Sequence, residues 1–252
     1  MSNDAVLNVG APVPASTGLS QVERVVDTFV APSKTFTDIL RSASWWLPFI
    51  LLVVSSLSTA FVVDKQVGFD RVYENQVHQS ERTEKQLADS TPEQRDRIIK
   101  IGTASTKYFT YGSFVFILIV LAIYSLVLWG AFNFGLGAKT TFGQVFAVSM
   151  YAALPYLITA ILTIVFLYFG GNAESYDYKN PVATNLAYFF PDMTGGMKGL
   201  LQSLDVVKIW SDVLQVIGMA IIARKTILQS ALIVGIFWLL GVAVTVAGAM
   251  FS

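Results

Sequence analysis

Asp205, Lys208, Asp212 and Gln215 follow one another at spacings of three, four and three residues. On a helix that advances 100° per residue they share one stripe about 80° wide. Val206, Val207, Trp210, Val213, Leu214 and Ile217 cover most of the remaining circumference. Two carboxylates, an ammonium and an amide on an apolar helix could hold an ion, relay a proton or make a polar contact to another helix. About 20 residues span a bilayer core. Counting back from Ala223 therefore places Lys208 and Asp212 inside the hydrocarbon. A charge at that depth costs about 2.5–3.5 kcal/mol on insertion scales and faces a bundle interior or a wet cavity. A second reading is equally physical: a structural ion pair near the interface, with Lys208 snorkelling outward. An ion site would rest above all on Asp212.

Few other residues could do chemistry. The 252-residue chain has no Cys and a single His, His78. Disulfides, thiolate metal sites, a Cys nucleophile and helical two-His zinc motifs are excluded. His78 lies in a strongly polar segment and reads as a solvated imidazole. Gly135-Leu136-Gly137 lacks the strand context of a dinucleotide fingerprint, and no Walker-type phosphate loop is present. The expectation is a protein with no catalytic residues, no metal site and no cofactor. Formal net charge is zero, so no global field recruits nucleic acid.

The elements that carry the stripe are set by four stretches without charge: Ser42–Val63, Tyr108–Ala138, Thr140–Ala173 and Thr226–Ser252. Uncharged stretches of 18 or more residues read as membrane spans. Charged residues make up 13% of the chain, against about 25% in soluble domains. The fold class is an all-α polytopic membrane protein. Five spans are expected, near 45–63, 109–135, 145–169, 204–223 and 227–250, in a domain covering 45–251. Trp45 and Trp46 mark the mouth of the first. Pro155 sits inside the third and is a candidate kink. Gly241/Thr245 and Ala243/Ala247 are small-residue pairs that suit close helix packing in the fifth.

Residues 1–19 lack periodicity and are expected to form a disordered tail. Residues 20–44 suit two short amphipathic helices. Ser20 and Glu23 form a capping box for one, and Ser33 is placed to cap the other. Such helices can lie in the membrane interface or pack against the bundle, and both readings stand. Residues 64–107 carry eight acids and eight Lys/Arg, and are expected to form a helical hairpin outside the bilayer. Thr91-Pro92-Glu93-Gln94 starts its second arm, which runs unbroken into the second span. The stretch 64–89 could extend the first span forward.

The order of these features resembles the YIP family, membrane proteins named for interacting with Ypt/Rab GTPases, in its bacterial branch. Pro32-Ser33-Lys34-Thr35-Phe36 with Trp45-Trp46-Leu47-Pro48 is similar to the family's pre-span region. Gly135-Leu136-Gly137 with Thr141-Phe142 is similar to its loop between spans two and three. Tyr151-Ala152-Ala153-Leu154-Pro155 resembles its third span, and Asp205 to Trp210 with Leu214 and Gly218 its fourth. The resemblance implies a five-helix fold with a cytosolic N-terminus, in a bacterial inner membrane. It also implies a non-enzymatic role in interaction or membrane organisation. The expected partners are the lipid bilayer and other membrane proteins or further copies of the chain. The alternative is a small transporter or channel using the fourth-span stripe. Charge opposes the orientation: the N-terminal side would hold six Lys/Arg and the other side ten.

Overall fold

The computed structural model describes residues 18–170, 176–178 and 180–250. Residues 1–17 lie outside it, and with them nearly all of the expected N-terminal tail. Eleven α-helices are found among the described residues. Five helical stretches are long and apolar enough to cross a membrane: Trp46–Gln66, Pro92–Gly135, Phe142–Phe169, Val206–Ala223 and Ile227–Met250.

Two short helices precede the spans, α1 (Gln21–Val30) and α2 (Pro32–Ile39). The Ser20–Glu23 capping box forms as expected. Ser33 is not a cap. α2 begins two residues earlier than a Ser33 cap would start it, with Pro32 in its first turn, where the missing N–H costs nothing, and no side chain caps it. Both helices pack against the bundle. Phe36 and Ile39 of α2 are fully buried in the main core with Val148, Tyr151, Leu214 and Met219. α1 nevertheless leaves Val22, Val26 and Val30 exposed. That stripe recurs every four residues, as on an interfacial helix. The pair thus docks on the bundle through α2, while α1 leaves its valine stripe uncovered.

The first span is α3 (Trp46–Gln66). It does not extend through the charged segment. Gly68 takes φ +82°, a left-handed conformation that ends the helix. α4 (Phe69–His78) and α5 (Glu81–Ala88) follow as separate pieces. The returning arm is unbroken. α6 (Pro92–Gly130) is capped by Thr91 and Gln94 and runs from the polar hairpin directly into the second span. Asp64 ties the arms together by accepting from Lys107 and from the Tyr111 hydroxyl.

α6 ends in one π-helical turn, Ala131–Gly135. Asn133 clamps the loop beyond it, donating to the Thr140 carbonyl at 3.0 Å and accepting from the Thr140 amide at 2.9 Å. Thr141 and Gln144 then cap the third span, again by a reciprocal box. That span is broken rather than bent. α7 (Phe142–Ala152) stops, Ala153–Pro155 form a turn, and α8 (Tyr156–Phe169) restarts. Pro155 cannot donate to the preceding turn, and its ring clashes with the carbonyl four residues back.

The loop toward the fourth span holds an unexpected helix, α9 (Gly195–Ser203). It lies against the last helix, α11 (Ile227–Met250), so closely that a Cβ on Gly199 would come 2.8 Å from the Thr245 carbonyl. The small-residue face of the fifth span thus receives α9. α10 (Val206–Ala223) is the fourth span. Arg224, with φ 53°, turns the chain sharply, and Thr226 with Gln229 caps α11. α10 and α11 consequently run antiparallel from a tight turn.

Candidate functional site

The fourth-span stripe is not one network. α10 starts two residues after the span start expected near 204, and Asp205 lies just outside it as its N-cap, in extended conformation. Its Oδ1 accepts from the Lys208 amide at 2.8 Å, and its Oδ2 accepts from the Thr184 hydroxyl at 2.5 Å. Both bonds are local wiring: they start the helix and fasten the preceding loop to it. Lys208 turns its ammonium the other way, donating to Asp212 Oδ2 at 2.9 Å. That i,i+4 pair is partly exposed, at 34% and 26% of the two side chains. Gln215 keeps its place on the stripe but makes no bond to this pair. It is buried, and its Nε2 has no hydrogen-bond partner. The structure therefore joins Lys208 with Asp212 and separates Asp205 and Gln215 from them.

A second polar centre escaped sequence reasoning. Arg24 of α1 is the largest fully buried side chain. Its Nε donates to Asp38 Oδ2 at 2.7 Å, and its Nη2 forms an ion pair with the same oxygen at 2.6 Å. Nη1 donates to the Ser42 carbonyl at 2.8 Å. The Arg24 carbonyl accepts from Thr28 and Thr35. Planar guanidinium suits this fork-like arrangement, which a point-charge ammonium could not reproduce. Asp38 also accepts from Arg41. The hydrogen bonds of Arg41, and after them those of Arg24, hold the Asp38 carboxyl below the usual carboxylate range against the opposing effect of its burial.

This staple aligns the helix pair with the bundle. Fully buried Tyr151, at the end of α7, donates to Gln21 of α1 at 3.0 Å. Phe36 packs where Gly218 of α10 leaves space: a Cβ there would lie 2.4 Å from Val148 and 3.0 Å from Phe36. Trp45 meets Phe146 edge to face at 5.0 Å between ring centroids. Short stretches far apart in sequence, 32–36, 45–48, 151–155 and the region of Gly218, thus build one packing unit. Pro155 contributes by ending α7 just after Tyr151.

Among the described residues, no group of three or more His, Asp or Glu is placed to hold a metal ion. His78 is exposed beside Glu84, 3.3 Å away. No curated protein and no solved structure matches the chain. The Yip1 domain matches residues 26–248, nearly the whole fold and every element of that packing unit from α2 onward. Five apolar helices and a family match over residues 26–248 make the chain a multi-pass membrane protein of the YIP family.

Proposed function

We propose that the protein is a non-enzymatic interaction or membrane-organising protein, with the charged hairpin as the part that meets partners. One observation carries the reading. The polar groups with chemical potential are engaged in holding helices: Arg24 and Asp38 join α1 to α2, Asp205 caps α10, and Lys208 pairs within α10. The hairpin, by contrast, presents charges of both signs beyond a base where Asp64 of α3 accepts from Lys107 and Tyr111 of α6. We place the chain in a bacterial inner membrane with its N-terminus in the cytoplasm, on the strength of the family resemblance. The short loops at Lys139 and Arg224-Lys225 would then face the cytoplasm and carry bases without acids.

The test is photocrosslinking in native membranes. A crosslinker at Ser90 should give discrete protein adducts, and one at Lys139, on the opposite side, should not give the same ones. Adduct patterns that do not depend on position would remove the hairpin from the proposal. Parent-specific ion flux in liposomes, abolished by Asp212→Leu, would replace it with a transporter.

A further inference from the structure

The segment between the third and fourth spans sorts its residues into three sectors. At 100° per residue, Gly196 and Gly199 of α9 share one sector, Met197 and Leu200 the next, and Lys198 and Gln202 the third. The glycine sector faces α11. A Cβ on Gly196 would lie 3.2 Å from Val246 and Met250, and one on Gly199 would lie 2.9 Å from the Val246 Cα. The apolar sector is uncovered: Met197 is 53% exposed, and Leu200 is exposed beside it. Just ahead of the helix, Phe189 is 63% exposed, and Phe190 and Met193 are exposed as well. Exposed apolar residues gathered in this way mark a contact with another phase or molecule.

The fold says which one. α11 is a membrane span, and a hydrocarbon core about 30 Å thick takes about 20 residues of it. Counted from Ile227, just after the Arg224-Lys225 turn, that core ends near Val246. α9 is docked against Thr245, Val246, Ala249 and Met250, so it lies at the rim of the hydrocarbon and not beyond it. The other end of the segment is held at the same level. The Thr184 hydroxyl donates to Asp205, and the Thr184 carbonyl accepts from the Val206 amide at 2.9 Å. Val206 starts α10 about 26 Å from the turn that closes it. Charge points the same way. Asp192 and Lys198 are the only charged residues in 186–203, whereas the hairpin on the same side of the membrane holds eight acids and eight Lys/Arg.

We infer that residues 186–203 are a membrane-inserted arm, with Phe189, Phe190, Met193, Met197 and Leu200 set among the acyl chains at that rim and Lys198 and Gln202 at the headgroups. The partner of this surface is the bilayer itself, in the manner of an interfacial amphipathic helix. The domain then touches lipid through five spans and one arm that does not cross. The inference depends neither on which face is cytoplasmic nor on the proposed interaction role.

The chain has no Cys, so single nitroxide labels report on single sites. The experiment uses the full chain in liposomes of phosphatidylethanolamine and phosphatidylglycerol. Labels are carried by Phe189→Cys, Met197→Cys, Leu200→Cys and Lys198→Cys. The references are Leu232→Cys, on the exposed side of α11, and Glu93→Cys, in the charged hairpin. Collisions are measured with oxygen, which concentrates in hydrocarbon, and with a nickel chelate, which stays in water. The oxygen-to-nickel ratio at Phe189, Met197 and Leu200 should exceed that at Glu93 several-fold, and Lys198 should fall between. Ratios at Met197 and Leu200 equal to that at Glu93 would overturn the inference, because the arm would stand in water. Few collisions with either probe would overturn it equally, because protein would then cover the face. The three apolar sites are exposed and independent, and thermal unfolding of each labelled protein confirms that a folded chain is being read.

Discussion

Two ion pairs in this molecule share a charge chemistry and differ in burial, in what they join and in how fully they are satisfied. Arg24–Asp38 joins two helices, has its guanidinium fully buried, and satisfies further donors on backbone carbonyls. Lys208–Asp212 lies on a single helix, is partly exposed, and has one hydrogen bond. The first can exist only when α1 and α2 are docked, so it reports on tertiary structure. The second can form on α10 alone and leaves part of its capacity unused. A buried charge with all its partners is a fastening, whereas a partly exposed pair within one helix fastens no second element.

The strongest way to break this comparison is at the fastening. Arg24→Met should destabilise the protein by about 3–5 kcal/mol, the usual cost of leaving one member of a buried pair without its partner. Arg24→Lys should rescue little, because an ammonium cannot reproduce the fork to the Asp38 carboxylate and the bonds to the Ser42, Ser44 and Asp38 carbonyls. Thermal unfolding in a mild detergent measures both variants. A loss below about 1 kcal/mol, as for an exposed pair, would show that the two ion pairs are equivalent after all.

A smaller effect is expected at the other pair. Lys208→Met leaves Asp212 charged at the edge of hydrocarbon, and the cost should not exceed about 2.5–3.5 kcal/mol. The double change Lys208→Met with Asp212→Leu removes the orphaned carboxylate and should recover most of that loss. The decisive comparison in the same unfolding assay is between single and double variants. A double variant that is less stable than Lys208→Met would mean that Asp212 supports the fold through contacts other than Lys208.

Acid should distinguish the regions by a smaller margin again. The folded state holds the Asp38 carboxyl below its ordinary value, near 3.9 when unperturbed. Its contribution is therefore present above that value and lost as pH falls through the lower folded value. The stability advantage of the parent over Asp38→Asn should be constant from pH 7 to about 5 and shrink below about 4. Melting temperatures of the two proteins across that range provide the check. An advantage that grew on acidification would contradict the assigned direction.

What could be read from sequence divides along the same line. The spans were legible because crossing a bilayer is a one-body requirement: each charge-free stretch must exclude water by itself. The caps at Ser20, Thr91 and Thr141 were legible because donor and acceptor lie three residues apart. Arg24 was not. It occupies a polar position on an amphipathic helix, and nothing in the local pattern reveals that Asp38 closes over it from the next helix. α9 was hidden because its Gly-rich sequence is a poor helix former, and its stability comes from Gly199 against the α11 backbone. The stripe on α10 was correct as helical geometry, yet it misled as chemistry. Asp205 falls outside the helix, where the N-cap bond to the Lys208 amide and the bond from Thr184 claim its carboxylate. The Gly68 break was missed because one glycine in a long polar helix is tolerable, and only its positive φ makes it a boundary.

The smallest predicted effect lies in the hairpin, which shares neither ion pair and so serves as the comparison's control. Thr91 accepts from the Gln94 amide, Gln94 accepts from the Thr91 amide, and Pro92 fixes the first turn of α6. Thr91→Gly together with Pro92→Gly removes the box and the rigid turn. Capping effects are worth about 1 kcal/mol. They act on the outer end of α6, far along the helix from the Asp64–Lys107 contact that ties it to the first span. The variant should therefore insert normally and keep its global unfolding temperature, while amides 92–100 exchange faster. Amides around Tyr151 and Gly218, inside the packing unit stapled by Arg24, should not respond. Hydrogen exchange with residue-level resolution separates the two outcomes. Acceleration that spread to Tyr151 would mean that the hairpin and the stapled core unfold together. Fast exchange throughout 92–105 in the unaltered protein would mean that the outer half of α6 is not a stable helix.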